Sequence, residues 1–267
     1  KKRRSLGIGF IGLAHYLAKN GEHYDDASAW QLTHDLTEAF QYYLLKSSNQ
    51  IAKEKGKCEY FDRTKYSQGI LPIDTYKSEV DEIVPNNLKY DWESLRTSIT
   101  THGLRHSTLS AQMPSESSSI VSNATNGIEP PRDYLSVKKS KKGPLKQIVP
   151  SYGSLKNAYT ILWEMKDNDG YIKVISVMQK FFDQAISGNW SYNPLHYENN
   201  EVPMSVMIKD LLTTYKLGWK TSYYQNTYDY KGEEDTVQPQ GIQDTVQTDI
   251  EQMPQEDNEE MCDACAI

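Results

Sequence analysis

Cysteine is scarce: three occur in 267 residues, and two of them fall among the last six. That is too few for a disulfide framework and fits a reducing compartment, the cytoplasm (a host's, if the gene is viral). Runs of about 18 apolar residues are also lacking, so no membrane-spanning helix is expected. Nor is there a positive excess, since 29 lysines and arginines face 36 acidic residues, for a net charge of -7. Broad nucleic-acid surfaces are basic, so direct DNA binding is not expected. Histidines are few, and His15, His34, His102 and His106 sit at spacings that make no metal or nucleophile cluster; each reads as structural. No clean secretory leader is legible, because Gly7, Gly9, Gly12 and His15 interrupt the apolar stretch behind the basic start. The chain opens without Met, which suggests a processed, trimmed or partial product.

What is present suits an α/β fold. The apolar, glycine-containing stretch 6–18 predicts a helix whose glycines admit a close neighbour. Asp25 or Asp26 caps a long helix reaching about Lys55, with Leu36, Phe40, Leu44 and Ile51 as its apolar stripe. Asp91 opens a short helix carrying Trp92, Leu95 and Ile99, which Gly103 stops, and residues 104–109 then read as a strand. Residues 134–137 and 147–149 pair as strands across a loop holding Lys138, Lys139, Lys141 and Lys142. Further helices are expected at 154–165, 171–186 and 203–218, with a last strand at 219–225. The ordered domain is thus 1–230. From Lys231 the chain turns acidic and carries the near-repeat DTVQPQGIQ, DTVQTDIEQ. Residues 231–267 have little apolar surface to offset the entropy of ordering, and read as a flexible, disordered tail.

Three features carry chemistry. Met113-Pro114-Ser115-Glu116-Ser117-Ser118-Ser119 lies between a predicted strand and a predicted helix. Free N–H groups and the positive dipole end at such a start suit a phosphate, although serine-rich turns also serve simply as caps. The stretch behind it, 122–131, contains Asn126-Gly127 and Pro130-Pro131 and reads as a rigid loop. Asn123 and Asn189 each begin an N-x-[ST] sequon, which a cytoplasmic protein leaves unused. The second feature is Tyr223-Tyr224, two phenols able to pass an electron and a proton together. Tyrosine is common here (19 residues), and Tyr42-Tyr43 is another doublet, so the pairing alone is weak evidence. Neighbours on a regular strand also face opposite sides, so both rings join one path only where the strand bends or ends. The third is the dithiol Cys262 and Cys265, which follows about thirty tail residues and suits thiol–disulfide exchange at a distant site. No second pair and no nearby His supports a zinc site there. Cys58 is expected to be structural or neutral.

In this order the three features resemble the C-terminal part of the large (alpha) subunit of class I aerobic ribonucleotide reductase. The matching stretches are RRSLGIGF (3–10), GILPIDTYK (69–77), THGLRHSTLSAQMPSESSSIVSNATNGIEPPR (101–132), LWEM (162–165), VMQKFFDQ (177–184) and KTSYYQNTYD (220–229). The resemblance implies the C-terminal part of a ten-stranded α/β barrel, and reduction of ribonucleoside diphosphates to deoxyribonucleoside diphosphates by thiyl-radical chemistry. It implies that Pro114, Ser115, Glu116, Ser117 and Ser118 hold the substrate diphosphate, mainly through backbone N–H groups. Tyr224 would take a radical from a metal-containing small subunit, and Tyr223 would hand it to an active-site cysteine. Cys262 and Cys265 would re-reduce the active-site disulfide and be recharged by thioredoxin or glutaredoxin.

The resemblance places the thiyl cysteine, its carboxylate base, the substrate-oxidised cysteines and the ATP and dNTP effector sites before the segment at Arg3. The expectation is therefore one piece of a split subunit, or a cleaved or intein-derived product. It would bind no cofactor itself, be inactive alone and complete its barrel with an upstream half, against which Gly7, Gly9 and Gly12 would pack. The alternative is a catalytically inactive remnant that keeps the phosphate turn and is indifferent to Tyr223 and Tyr224.

Overall fold

Glycine decides how the chain begins. In a computed structural model, which describes residues 2–140 and 143–229, only Leu13–Lys19 (α1) of the first twenty residues is helical. The preceding residues do not coil as expected, because they are drawn onto a distant segment. Leu6 N–H donates to Thr108 O (3.1 Å), Ile8 N–H to Leu109 O (2.8 Å) and Ala111 N–H to Ile8 O (2.9 Å), forming a parallel bridge between Ile8 and Ser110. A Cβ on Gly9 would stand 2.5 Å from Ala111 O, so this approach excludes any side chain there. Gly9 therefore serves a seam inside this chain, whereas Gly7 beside it is exposed. Gly12, at φ +82, turns the chain from the seam into α1.

The same segment is paired on its other edge. Gln184 N–H donates to Ser110 O (3.3 Å) and Ser187 N–H to Gln112 O (3.0 Å), with Gln112 and Ile186 bridged in parallel. The strand expected at 104–109 is thus displaced toward 108–112, where it sits between two parallel neighbours. Immediately beyond, Gly188–Tyr192 (β3) pairs in parallel with Ser222–Thr227 (β4), while Leu135–Ser140 (β1) and Gly143–Ile148 (β2) form the expected antiparallel hairpin. Among the described residues these are four strands in two small sheets, and they do not close a barrel.

The helices between them are Ala27–Lys55 (α2), Trp92–His102 (α3), Glu116–Val121 (α4), Tyr152–Leu155 (α5), Asp169–Gln179 (α6) and Met204–Leu217 (α7). Asp91 caps α3 by accepting from Ser94 N–H at 3.0 Å, and Gly218 ends α7 in the left-handed region. The helix expected at 154–165 breaks into α5 and short 3-10 turns, because Leu162 N–H goes to Pro131 O (2.8 Å) and Tyr159 is buried with its hydroxyl on Pro150 O (2.7 Å). Similarly, α6 stops at Gln179, leaving the chain free to pair with residues 110–112. From Gly170 to Gln179 every residue of α6 except Lys173 is buried, which makes it the axis of the main core with Leu13, Leu17 and Phe182.

The buried face of α2 is not the predicted stripe. Leu36, Phe40, Leu44 and Ile51 are half-buried, whereas Thr33, His34, Thr37, Glu38, Gln41, Ser48 and Asn49 are buried along with Ala29, Leu45 and Ala52. Much of that polarity is used. Glu38 Oε1 accepts from the N–H groups of Lys89 (2.8 Å) and Tyr90 (3.2 Å) and from the Trp92 indole (3.0 Å). Asn49 donates to Ser98 O and Gly103 O and accepts from Ser98 Oγ (2.7 Å), tying α2 to both ends of α3's last turns. On α7, by contrast, Met204, Ile208, Leu211, Leu212 and Tyr215 are exposed.

The chain divides into two units, Lys1–Tyr228 and Asp229–Ile267, and the second lies almost wholly outside the described residues. Among the described residues no helix is long and apolar enough to cross a membrane.

Two outcomes follow for stability. Gly9→Ala lowers it by about 1–3 kcal/mol through forced separation of the seam, read as a lower urea midpoint. Burial pushes the phenols of Tyr24 and Tyr171 well above their ordinary value. In the unfolded chain these groups ionise near about 10, so their contribution is intact below that pH and is lost as pH rises beyond it. Thermal melting should accordingly hold steady from about pH 7 to 9 and fall steeply above about 10, and Tyr171→Phe should soften the fall.

Candidate functional site

The central segment 108–112 ends in the serine turn. Gln112 fixes this exit, its Oε1 accepting from Phe10 N–H (3.1 Å) and its amide donating to Phe10 O (2.8 Å) and Met113 O (3.3 Å). Ser115 is the residue before α4, but its hydroxyl makes no capping bond. The first turn is instead held by Ser119, whose N–H and Oγ both donate to Ser115 O (2.9 and 2.6 Å). Pro114, Ser117 and Ser118 are exposed, and Glu116 opens the helix.

The loop 122–131 folds back over this turn. Gly12 N–H donates to Thr125 O (3.1 Å), Leu13 N–H to Gly127 O (3.2 Å) and Ala124 N–H to Ser119 O (2.9 Å). Gly127, at φ +50, faces Ser115, where a Cβ would stand 3.1 Å from the serine oxygen. Ser115 Oγ, Thr125 Oγ1 and Asn126 Oδ1 are buried without a hydrogen-bond partner among the described residues. Three such groups beside one turn are costly unless something polar meets them.

The tyrosine pair lies on β4, and its geometry answers the objection from strand alternation. Gly188 is opposite Ser222 and Trp190 opposite Gln225. One residue of β3, Asn189, therefore faces two of β4, Tyr223 and Tyr224, which is a β-bulge. The bulge swings both rings together: their centroids are 4.1 Å apart, the planes are tilted by 53°, and the hydroxyls are 3.4 Å apart. Tyr223 is 48% and Tyr224 59% exposed. The hydrogen bond with Tyr224, followed by the charge an ionised Tyr224 would bring, pushes the Tyr223 phenol above its ordinary value. Tyr42 and Tyr43, the other doublet, pack with Tyr90 beside a smaller apolar cluster that includes Leu45, Trp92 and Ile99.

Asn189 is the residue that sequence reasoning passed over. Its Oδ1 accepts from Tyr224 N–H at 2.9 Å, and its amide donates to Glu129 Oε1 at 2.5 Å. Glu129 in turn accepts from Asn126 Nδ2 at 3.2 Å, which links the strand pair to the loop over the serine turn. A sequon was the only local signal at Asn189, and it points elsewhere.

Cys262 and Cys265 lie outside the described residues. Cys58 is a buried free thiol that burial pushes up, and burial likewise holds His34 down, with its ring edge-on to Phe181. Among the described residues no group of three or more His, Cys, Asp or Glu could hold a metal ion.

Residues 1–225 match the family described as the ribonucleotide reductase barrel domain. Over 227 residues the chain is 61% identical to the ribonucleoside-diphosphate reductase 1 subunit alpha of Salmonella typhimurium, covering 85% of this chain and 30% of that protein. The subunit alpha of enterobacteria phage T4 is 45% identical over 237 residues, covering 88% of this chain and 31% of the relative. Thus the chain spans about 30% of the length of these curated relatives. In fold it is similar to an Actinobacillus ureae class Id ribonucleotide reductase alpha subunit, with a TM-score of 0.58, 20% identity, and coverage of 85% of this chain and 40% of that one.

The tyrosine geometry is open to direct titration. With 13C-labelled tyrosine, the Tyr223 ring carbon should titrate above about 10, and Tyr224→Phe should return it toward that value.

Proposed function

The chain belongs to the ribonucleotide reductase family, as part of a class I ribonucleoside-diphosphate reductase alpha subunit, and from that premise we propose that it carries the substrate-phosphate turn, the radical relay and the returning dithiol of that enzyme. The observation that carries this reading is the tyrosine pair on its bulge, with rings at 4.1 Å and hydroxyls at 3.4 Å. A neutral phenol gives up an electron readily only with its proton. Facing rings offer the electron a path, and adjoining hydroxyls offer the proton one. Tyr224, the more exposed, receives the hole from the small subunit's radical. Tyr223 passes it to a cysteine that the remainder of the alpha subunit supplies.

The resulting thiyl radical takes the 3′ hydrogen of the ribonucleotide. The 2′-hydroxyl then leaves as water while two thiols are oxidised to a disulfide, and the 3′ hydrogen is returned. Cys262 and Cys265 reduce that disulfide by thiol exchange and become the disulfide that thioredoxin or glutaredoxin reduces. At the other end of the substrate, the backbone N–H groups of 114–118 meet the diphosphate. The orphaned hydroxyls of Ser115 and Thr125 support a polar group meeting them there. This chain has no thiyl cysteine of its own in this scheme, so it works only together with the rest of an alpha subunit and a small subunit.

The test is diphosphate reduction by an alpha subunit containing this chain, assembled with a small subunit. Tyr223→Phe and Tyr224→Phe should each abolish turnover and leave diphosphate affinity unchanged. Cys262→Ala and Cys265→Ala should stop thioredoxin-driven turnover yet allow one burst. A remnant that merely binds phosphate would show no turnover to lose, and full thioredoxin-driven activity in the cysteine variants would remove the delivery role.

A further inference from the structure

A β-bulge leaves one residue without its ladder partner, and a strand that gains a residue must be held in that register by something. Here the residue is Tyr224, and its N–H is taken by a side chain, Asn189 Oδ1 at 2.9 Å. An amide side chain rotates freely unless its other end is fixed. Glu129 fixes it, accepting the Asn189 amide at 2.5 Å while holding Asn126 with its second oxygen at 3.2 Å. Glu129 is itself stationed by its N–H on Asn126 O (3.0 Å) within the loop over the serine turn.

We infer that Asn189, oriented by Glu129, is a positioning residue that sets the bulged register of β4 and so keeps the Tyr223 and Tyr224 rings on one side of the strand. Without that acceptor, β4 gains by slipping to a regular ladder, in which consecutive side chains point to opposite faces. The distance between the phenols would then open although neither ring had been altered.

The functional half of this inference rests on the radical-relay reading, and the geometric half does not. Two readouts on the assembled enzyme separate them. In Asn189→Ala, the 13C titration of Tyr223 should fall back to about 10, and kcat should drop about 10- to 100-fold with KM for the diphosphate unchanged. A chemical inversion provides the control for folding. Asn189→Asp retains an acceptor for Tyr224 N–H but faces Glu129 as a like charge, so it should be impaired. Adding Glu129→Gln restores a donor–acceptor pair with the carboxylate on the opposite side, and the double variant should recover both the raised Tyr223 titration and most of kcat.

An unchanged Tyr223 titration in Asn189→Ala, or a double variant no better than Asn189→Asp alone, would overturn the inference while leaving the relay intact. If the titration moves and kcat does not, the functional half is overturned. The relay itself fails only if Tyr223→Phe and Tyr224→Phe are also active.

Discussion

The structure depends on one close contact, the parallel main-chain seam that brings residues 6–9 against 108–111. Its hydrogen bonds form only because position 9 has no Cβ, since even a methyl group would meet Ala111 O. With that edge in place, 108–112 is satisfied on both sides, and its end at Met113 is fixed where the serine turn begins. The third parallel segment, 184–187, then runs directly into β3, and β3 places Asn189 opposite the tyrosines. Turn and tyrosine pair are therefore positioned by consecutive members of one set of backbone bonds. Side chains adjust the register of that set but do not create it.

Polar burial is the second theme. The inner face of α2 and the loop 122–131 both place charged or amide groups where an apolar sequence pattern would put leucine. Glu38 and Glu129 do the same work in different places: each carboxylate gathers donors from segments that share no secondary structure. Such sites are costly unless fully paired, and where they are paired they define one arrangement sharply. At Ser115, Thr125 and Asn126 the pairing is incomplete, as it also is on α2 at His34, Gln41 and the second oxygen of Glu38.

Local signals made some elements legible in the sequence and left others hidden. The helices α3 and α7 were readable because Asp91, Gly103, Pro203 and Gly218 are punctuation whose effect stays within a turn. The start of the chain was not, since an apolar run with glycines has no period that separates a helix from a buried extended segment. The segment 154–165 has helical spacing, but Leu162 N–H is claimed by Pro131, a partner that no window around it contains. For the site, the serine turn could be found from composition and its place after a strand. The approach of the two tyrosines could not, because a bulge is a property of register between β3 and β4. Asn189 was invisible for the same reason, since its partners lie 35 residues ahead and 60 behind.

The openness of the two phenols in this chain by itself has its own implication. An oxidised tyrosine left uncovered is exposed to every small reductant in solution. Charge placed on these rings would leak away between encounters unless another protein face lay over them at the moment of transfer. On the proposed relay, rings left bare between encounters would discharge any equivalent that arrives out of turn, so cover and transfer belong to one event.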